Sequence, residues 1–326
     1  MATGSINFDM LYNDLKANSD GLWGDATDSE TAFYAMLPKR SASSLKYGRK
    51  VRIDAGTASQ HAEGTKNFSA AQKTASIYPD CRPAAFHAVL ELTDEAIDGM
   101  ALVTETEAGM MLAMEQQASL NSIARAVEAA CCAGISATNG FIGIQAWINE
   151  SNTLAGINRA TYPRYDAAVD TDVSTRTIAV SVLDGGRAHL VNTHRGRANI
   201  NITSPTMHDA FAELSTGVVT RQQVIAQDTM TPIQKVIAGI GVANMQDAVH
   251  SYAGLPVIRI PDYATDRWDM INLSPDSLYI VEWRKPQWSA WRRDGATMVS
   301  DVTYSCNLWL HNPYKNACGI LQLTTS

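Results

Sequence analysis

Between Thr104 and Ala133 the apolar positions recur at helical spacing, with Met110, Met114, Leu120, Ile123, Val127 and Ala130 falling broadly on one stripe. Thr104 and Glu107 make a Thr-x-x-Glu capping box, in which hydroxyl and carboxylate satisfy orphan amide donors, and Gly134 is the expected stop. The pattern predicts one long helix of roughly 45 Å, at about 1.5 Å per residue. Upstream, Leu45 to Lys73 alternates only weakly, as in Lys50-Val51-Arg52-Ile53-Asp54, with Gly56 and Gly64 on either side of a polar tip. That reads as a long two-stranded ribbon. Isolated hairpins are marginal in water, so a ribbon this poor in apolar residues needs a neighbour to lie on. The first 40 or so residues mix Asp, Asn, Ser and Gly with isolated aromatics (Phe8, Tyr12, Trp23, Phe33, Tyr34), which suits an arm lying across another surface.

From Asp166 onward helix and strand patterns alternate. Val173 to Val191 reads as a helix interrupted near Asp184-Gly185-Gly186, and Asn199 to Thr203 as a short strand. Ser204 followed by Pro205 is a helix start, with the helix running to Ser215 before Gly217. Val257–Ile260, Leu278–Trp283, Val302–Leu310 and Ile320–Leu323 read as strands. The fold class expected is mixed α+β in two lobes.

The two halves meet at Asn152 to Tyr165, NTLAGINRATYPRY. Gly156 permits backbone angles closed to other residues, and Pro163 pushes its predecessor into an extended conformation. Such a segment is neither a long helix nor a regular strand. An irregular crossing holding Arg159 and Arg164 with two tyrosines suits an ordered join between two lobes or two subunits.

Composition bounds the rest. The 326 residues supply one large domain or two ordinary ones, 45% hydrophobic, with no apolar run of the roughly 18 residues needed to span a bilayer. No basic flank precedes an apolar core at the N-terminus, so a cytosolic, soluble protein is expected. A formal charge of −7 argues against a dedicated nucleic-acid binder, though not against a wall that faces DNA without gripping it. The five cysteines are odd in number and lack CxxC spacing, which points to reduced, buried thiols.

Enzymatic signatures are missing. Gly239-Ile-Gly241 makes neither a P-loop nor GxGxxG, and the seven histidines form no His-Glu-x-x-His. There is no Gly-x-Ser-x-Gly elbow. No catalytic residue, cofactor or metal is therefore expected. One cluster does stand out: Trp288 and Trp291 among Arg284, Lys285, Arg292 and Arg293, after Trp283. Basic residues interleaved with aromatics clamp single-stranded nucleic acid or anchor a subunit interface, and the negative overall charge favours the interface.

The Gly-Ile-x-Arg turn with its aromatic-basic sequel, the long helix before it, and Asn199–Ser204, Ala253–Asp262 and Asn272–Ile280 after it follow one another in a familiar order. Over roughly residues 45 to 326 this set resembles the major capsid proteins of tailed bacteriophages, which share the HK97 fold. The resemblance implies an N-terminal arm (1–44) and an extended loop (45–76) reaching over a neighbouring subunit. It also implies a peripheral lobe with a long spine helix (77–166 and 279–326) and an axial lobe (167–278). The implied function is structural: pentamers and hexamers of this chain forming an icosahedral head around double-stranded DNA. Assembly in the host bacterial cytoplasm would involve a scaffolding protein, a portal and possible decoration proteins. Contacts within or between subunits are then expected at the charged ribbon residues Arg49, Lys50, Arg52, Asp54 and Lys66, besides Arg159, Arg164, Trp288, Trp291, Arg292 and Arg293. No lysine–asparagine cross-link is expected. Two alternatives stay open: an encapsulin-like compartment shell, and a two-lobed α+β enzyme.

Overall fold

The computed structural model describes residues 5–6, 32–53, 76–101, 105–149, 153–171, 175–217 and 251–325. Along the first part of the chain run β1 (Ser5–Ile6), α1 (Ala32–Met36), β2 (Lys39–Ser41), β3 (Tyr47–Gly48) and β4 (Val51–Arg52). Then come β5 (Ser76–Ile77), β6 (Asp80–Cys81), β7 (Ala84–Thr93), α2 (Asp94–Ala101) and α3 (Glu105–Cys132). The long helix α3 is a single 28-residue rod, about 42 Å long. Thr104 of the expected capping box lies outside the described residues, and so does the ribbon tip, including Asp54 and Lys66. What is seen of the ribbon is its base. β3 pairs antiparallel with β6, and β4 with β5.

Gly134 does not end α3 through a left-handed cap, since its φ is not positive. The chain instead folds back. Gln145 donates its backbone N–H to Ala133 O at 3.1 Å and its side-chain amide to Cys132 O at 2.6 Å. Gly143 is the residue that makes this possible, because a Cβ there would sit 2.4 Å from Ala130 O and 2.2 Å from Ala133 O. The orphan carbonyls of the helix end are thus met by donors from the next segment.

That segment holds α4 (Ile144–Trp147), β8 (Thr153–Leu154), β9 (Ile157–Asn158), β10 (Ala168–Asp170) and β11 (Arg176–Thr177). Next come α5 (Val180–Ala188), β12 (Ile200–Thr203), α6 (Pro205–Gly217), β13 (Ser251–Tyr252), β14 (Leu255–Arg259) and β15 (Trp268–Ile271). The chain closes with β16 (Leu278–Trp288), β17 (Arg292–Asp294), β18 (Thr297–Leu310), α7 (Pro313–Asn316), β19 (Ala317–Ile320) and β20 (Leu323–Thr324). Ser204 caps α6 as expected, its Oγ accepting the Met207 N–H at 3.3 Å. α5, however, begins only at Val180 and runs unbroken through Asp184-Gly185-Gly186 into a π-turn at His189–Thr193. The glycine reads as a breaker in sequence but serves packing: a Cβ on Gly186 would lie 2.6 Å from the Ile320 side chain of β19.

Among the described residues the strands form two six-stranded sheets and four two-stranded pairs. The first has the order β1-β7-β18-β16-β2, with β17 hairpinned onto β18. Its three long strands are antiparallel, while β1 and β2 join the edges in parallel. α3 packs on β7 and β18 through Ile123, Val127 and Cys131. The second sheet is mixed, in the order β10-β19-β15-β12-β14-β13. Its side chains alternate with period two. Ile200, Ile202, Ile271 and Ala317 face the main core, and Trp268, Met270, Cys318 and Ile320 face a second core under α5 and α6. β19 and β20 return to the second sheet and its flank, although chain order groups residues 279–326 together. All five cysteines are buried and unpaired, and burial pushes the thiols of Cys81 and Cys306 up to about 12. Among the described residues no helix is long and apolar enough to cross a membrane.

Besides β2 on the sheet edge, a buried carboxylate holds the described end of the arm. Glu128, buried on α3, accepts the N–H groups of Phe33 at 3.2 Å and Tyr34 at 2.6 Å, while Phe33 and Leu37 fill the core beside it. Burial raises the Glu128 carboxyl above its usual range, against the pull of those two N–H donors. A raised carboxyl contributes most below its unfolded pKa, and that contribution is lost as pH rises through the folded value. Glu128→Gln is therefore expected to flatten the fall in stability seen as pH rises above the ordinary carboxylate range, measured by urea titrations at a series of pH values. Glu128→Ala should lose about 1–3 kcal/mol and the exchange protection of the Phe33 and Tyr34 amides.

Candidate functional site: the joint between the two sheets

The two sheets meet around the end of α4. A four-residue helix exposes its last carbonyls with nothing of its own to satisfy them. Arg159 donates from Nη2 to Ala146 O at 2.7 Å and from Nη1 to Trp147 O at 2.8 Å. Arg267, which immediately precedes β15, donates from Nη2 to Ile148 O at 3.1 Å. Two guanidinium groups thus cap one helix end from opposite sides, where the helix dipole favours positive charge. Arg159 is completely buried and its Nε lies 3.4 Å from Asp166 Oδ1. Burial pulls its pKa below the ordinary value, opposed by Asp166. Trp147 anchors α4 to the first sheet through Nε1–H to Leu308 O at 3.2 Å and an edge contact with Trp309.

Arg267 is itself held by Asp269 at 2.9 Å, and the Tyr263 hydroxyl donates to the same carboxylate. Burial works most strongly against the Arg267 charge, but Asp269, Tyr263 and Asp266 together lift the guanidinium above its usual value. Gly319 faces this group. A Cβ there would stand 2.6 Å from Ile148 Cγ2 and 2.9 Å from Asp269 Oδ1, so the close approach of β19 requires glycine.

Sequence motif and structure agree on how Arg159 is delivered. β8 and β9 form a hairpin whose two turn residues, Ala155 and Gly156, have φ of 51° and 74°. Positive φ at both positions matches the twist of the flanking strands. The turn docks on the ribbon base, where Asp80 N–H donates to Ala155 O at 2.9 Å. Arg164 reaches the same region, with Nη1 donating to Ile53 O at 3.3 Å. One short motif therefore connects helix end, second sheet and ribbon.

An asparagine lattice closes the other side. Asn199 exchanges two hydrogen bonds with Leu273, donating to its O at 2.8 Å and accepting its N–H at 2.6 Å. Asn272 Nδ2 donates to Asn316 Oδ1 at 2.9 Å, and Asn316 Nδ2 to His311 O at 2.7 Å. These side chains bind the two connections, 272–277 and 311–316, by which the chain passes between the sheets. Asn199 and Asn272 open two of the segments singled out in the sequence, but their partners Leu273 and Asn316, and the reach of Arg267 to Ile148, match no spacing rule.

The other candidates are scattered. Trp288 and Trp291 pack within the chain, on Leu90, Leu92, Ile97, Met100, Leu112 and Met298. Arg293 pairs with Asp94 at 2.7 Å and Arg292 lies 4.0 Å from Asp301, both on the surface. Lys50 sits 5.7 Å above the Tyr78 ring, Arg52 is exposed, and Arg49 lies half-buried beside Tyr279. Among the described residues no group of His, Cys, Asp or Glu is arranged to hold a metal ion.

No protein-family model matches the sequence, and no curated protein matches it. Solved structures do. A subunit of the cyanophage A-1(L) capsid asymmetric unit superposes with a TM-score of 0.73 at 13% identity, covering 93% of this chain and 95% of that one. The chain has an HK97-like fold. The same fold relates it to the capsid of the native GTA particle, with a TM-score of 0.60, 10% identity and coverage of 93% and 92%. It also relates it to the SrpI encapsulin of Synechococcus elongatus PCC 7942, with a TM-score of 0.58, 9% identity and 96% of both chains covered. The HK97-like fold is thus shared almost end to end at overall identities of 9% to 13%.

The joint is expected to be a folding element first. Arg159→Ala leaves two buried carbonyls and Asp166 without their partner, and should lose about 3–5 kcal/mol in chemical denaturation. Gly319→Ala should lose about 1–3 kcal/mol through overpacking against Ile148 and Asp269.

Proposed function

We propose that this chain is a major capsid subunit, assembling as pentamers and hexamers into an icosahedral shell around phage DNA. The observation that carries the reading is the end-to-end match to a cyanophage capsid subunit, at a TM-score of 0.73 over 93% of the chain. The role is mechanical and non-catalytic. Residues 167–278 would form the axial lobe closing the rings, supplemented by β19 and β20. Residues 77–166 and 279–312 would form the peripheral lobe joining ring to ring.

The surface supports assembly at the ribbon. Leu45 is 75% and Tyr78 66% exposed at its base, apolar area that a neighbouring subunit would cover. The ribbon residues Arg49, Lys50, Arg52, Asp54 and Lys66 are proposed to contact that neighbour, with Arg292 and Arg293 on a second exposed edge. Arg159 and Arg164 serve the joint within the chain, and Trp288 and Trp291 support the edge by packing beneath it. Scaffolding, portal and decoration proteins would be the further partners, and the virion the final location. The encapsulin match supports a second reading, a shell holding protein cargo.

Expression of the chain with its neighbouring genes should yield particles of megadalton size in sedimentation and electron micrographs. Nucleic acid recovered from them supports the capsid reading, and protein cargo the second. A chain that remains a monomer under all conditions would overturn both. Amides of residues 45–53 and 76–81 should gain exchange protection on assembly, and equal protection in the free subunit would count against the ribbon contact.

A further inference from the structure

Several polar atoms are buried without a hydrogen-bond partner where the first sheet meets the ribbon base. Arg49 Nη1, Ser277 Oγ, Trp309 Nε1, His311 Nδ1 and Asn312 Oδ1 are among them. Native interiors leave few such groups, so a cluster of them points to a partner from outside the fold. Register explains how they gather. β16 and β18 pair Tyr279 with Trp309, and His311 N–H extends the ladder to Ser277 O at 2.7 Å. Tyr47 of β3 packs over this end, its ring 6.1 Å from Tyr279 and 5.5 Å from Trp309. The Tyr47 and Tyr279 hydroxyl oxygens are 2.9 Å apart. Arg49, two residues further on, returns to the same side, where it hydrogen-bonds the Tyr279 hydroxyl.

The charges around these atoms do not balance. Arg40 of β2 covers the Tyr279 ring at 4.7 Å and takes Asp276 at 2.8 Å. Asp80, opposite Gly48, is taken by Lys46 at 2.9 Å. Arg49 forms no ion pair among the described residues, although one nitrogen of its guanidinium is fully enclosed. Leaving such a donor unpaired is costly. Burial, then Arg49 and Arg40, hold His311 below the ordinary histidine pKa, with Asp276 opposing them. Arg49 and Trp309 can only donate, Ser277 and a neutral His311 can do either, and only Asn312 Oδ1 must accept. The cluster therefore has a surplus of donors and of positive charge.

We propose that Arg49, Ser277 and His311 bind a small oxyanion of the phosphate or sulfate class. Such an ion accepts through several oxygens at once, and the guanidinium fork matches its geometry. One ion thus meets the Arg49 N–H, the Ser277 hydroxyl and the Nδ1–H tautomer of His311. A water molecule could fill the same bonds but would leave the guanidinium charge unmatched. Enclosure of the orphan atoms favours a free ion over a side chain carried in by another folded body. The consequence is mechanical. Ser277 and His311 lie in the two connections between the sheets, and Arg49 lies at the ribbon base. The ion ties one to the other and fixes the point from which the exposed Lys50 and Arg52 extend. The site lies within one subunit and stands independently of the capsid reading.

The test is thermal melting of the full chain with inorganic phosphate as the probe. At matched ionic strength, about 20 mM phosphate in place of chloride should raise wild-type melting by about 2 °C or more. Kosmotropic anions stabilise proteins in general, so variants must separate the site from that effect. Arg49→Gln removes an unpaired donor, so in chloride it should melt within about 2 °C of wild type. In phosphate it should lose most of the wild-type shift. Arg197→Gln, on an exposed arginine elsewhere, should keep the full shift. Ser277→Ala should weaken phosphate binding about fivefold, and it carries the test if Arg49→Gln does not fold. Equal melting of wild type in phosphate and chloride overturns the proposal. So does an equal phosphate shift in wild type, Arg49→Gln and Ser277→Ala, which would be a general salt effect. Arg49→Gln that loses the same stability in both buffers would make Arg49 a structural arginine and overturn it too. A wild type indifferent to phosphate, with particle yield lost in Arg49→Gln, would assign the donor to a neighbour's carboxylate instead.

Discussion

The structure depends on a helix end that has no room for water. α4 points its last carbonyls into the space between two sheets, where an unsatisfied acceptor would be costly. Arginine suits this position because its planar fork holds several donors in fixed geometry and stays charged when buried. Arg159 takes two carbonyls and Arg267 the third, one from the hairpin and one from the second sheet. Each guanidinium is then matched by its own carboxylate, Asp166 or Asp269. Gly319 lets β19 approach this clamp closely, since a Cβ there would run into Ile148 and Asp269.

The clamp is stiff where the edges are loose. The asparagine lattice ties the two crossing connections through neutral hydrogen bonds, and Asn307 joins Ile142 N–H, Arg82 O and Gly140 O inside the first core. By contrast, the ribbon base makes two-residue pairings and presents Leu45 and Tyr78 to solvent. The arm's described residues are held at Glu128, by Phe33 and Leu37 in the core, and by the short pairings of β1 and β2 at the sheet edges. A rigid body with weakly supported extensions is what a shell subunit requires. In the capsid reading proposed above, the body would set angles between neighbours, and the extensions would add contact area only once neighbours are present.

Much of this was legible from local pattern. The α3 stripe, the Ser204-Pro205 start of α6, and the strand character of 257–260, 278–283 and 302–310 depend on residues within a few positions of one another, whereas the segment before Tyr165, expected as an irregular crossing, proved to hold a short hairpin. Hydrophobic period, capping chemistry and turn residues act over that range, so sequence carries them. The tight turn at Ala155-Gly156 belongs here too, since its backbone angles follow from the glycine and the hairpin twist.

What sequence could not decide is which distant groups meet. The Gly185-Gly186 pair looks like a helix break, and only the closeness of Ile320 reveals it as a packing feature. Trp288 and Trp291 look like free anchors, and only the fold of α2 and α3 over β7 shows what they cover. Arg267 reaches Ile148 O across 119 residues, and the Asn272–Asn316 and Asn199–Leu273 pairs span 44 and 74, so no local spacing announces these contacts. Sequence alone thus determined the elements and the mixed α+β plan, through forces that act along a few turns of chain. The tertiary structure decided the joint, because burial and charge pairing are properties of positions in space.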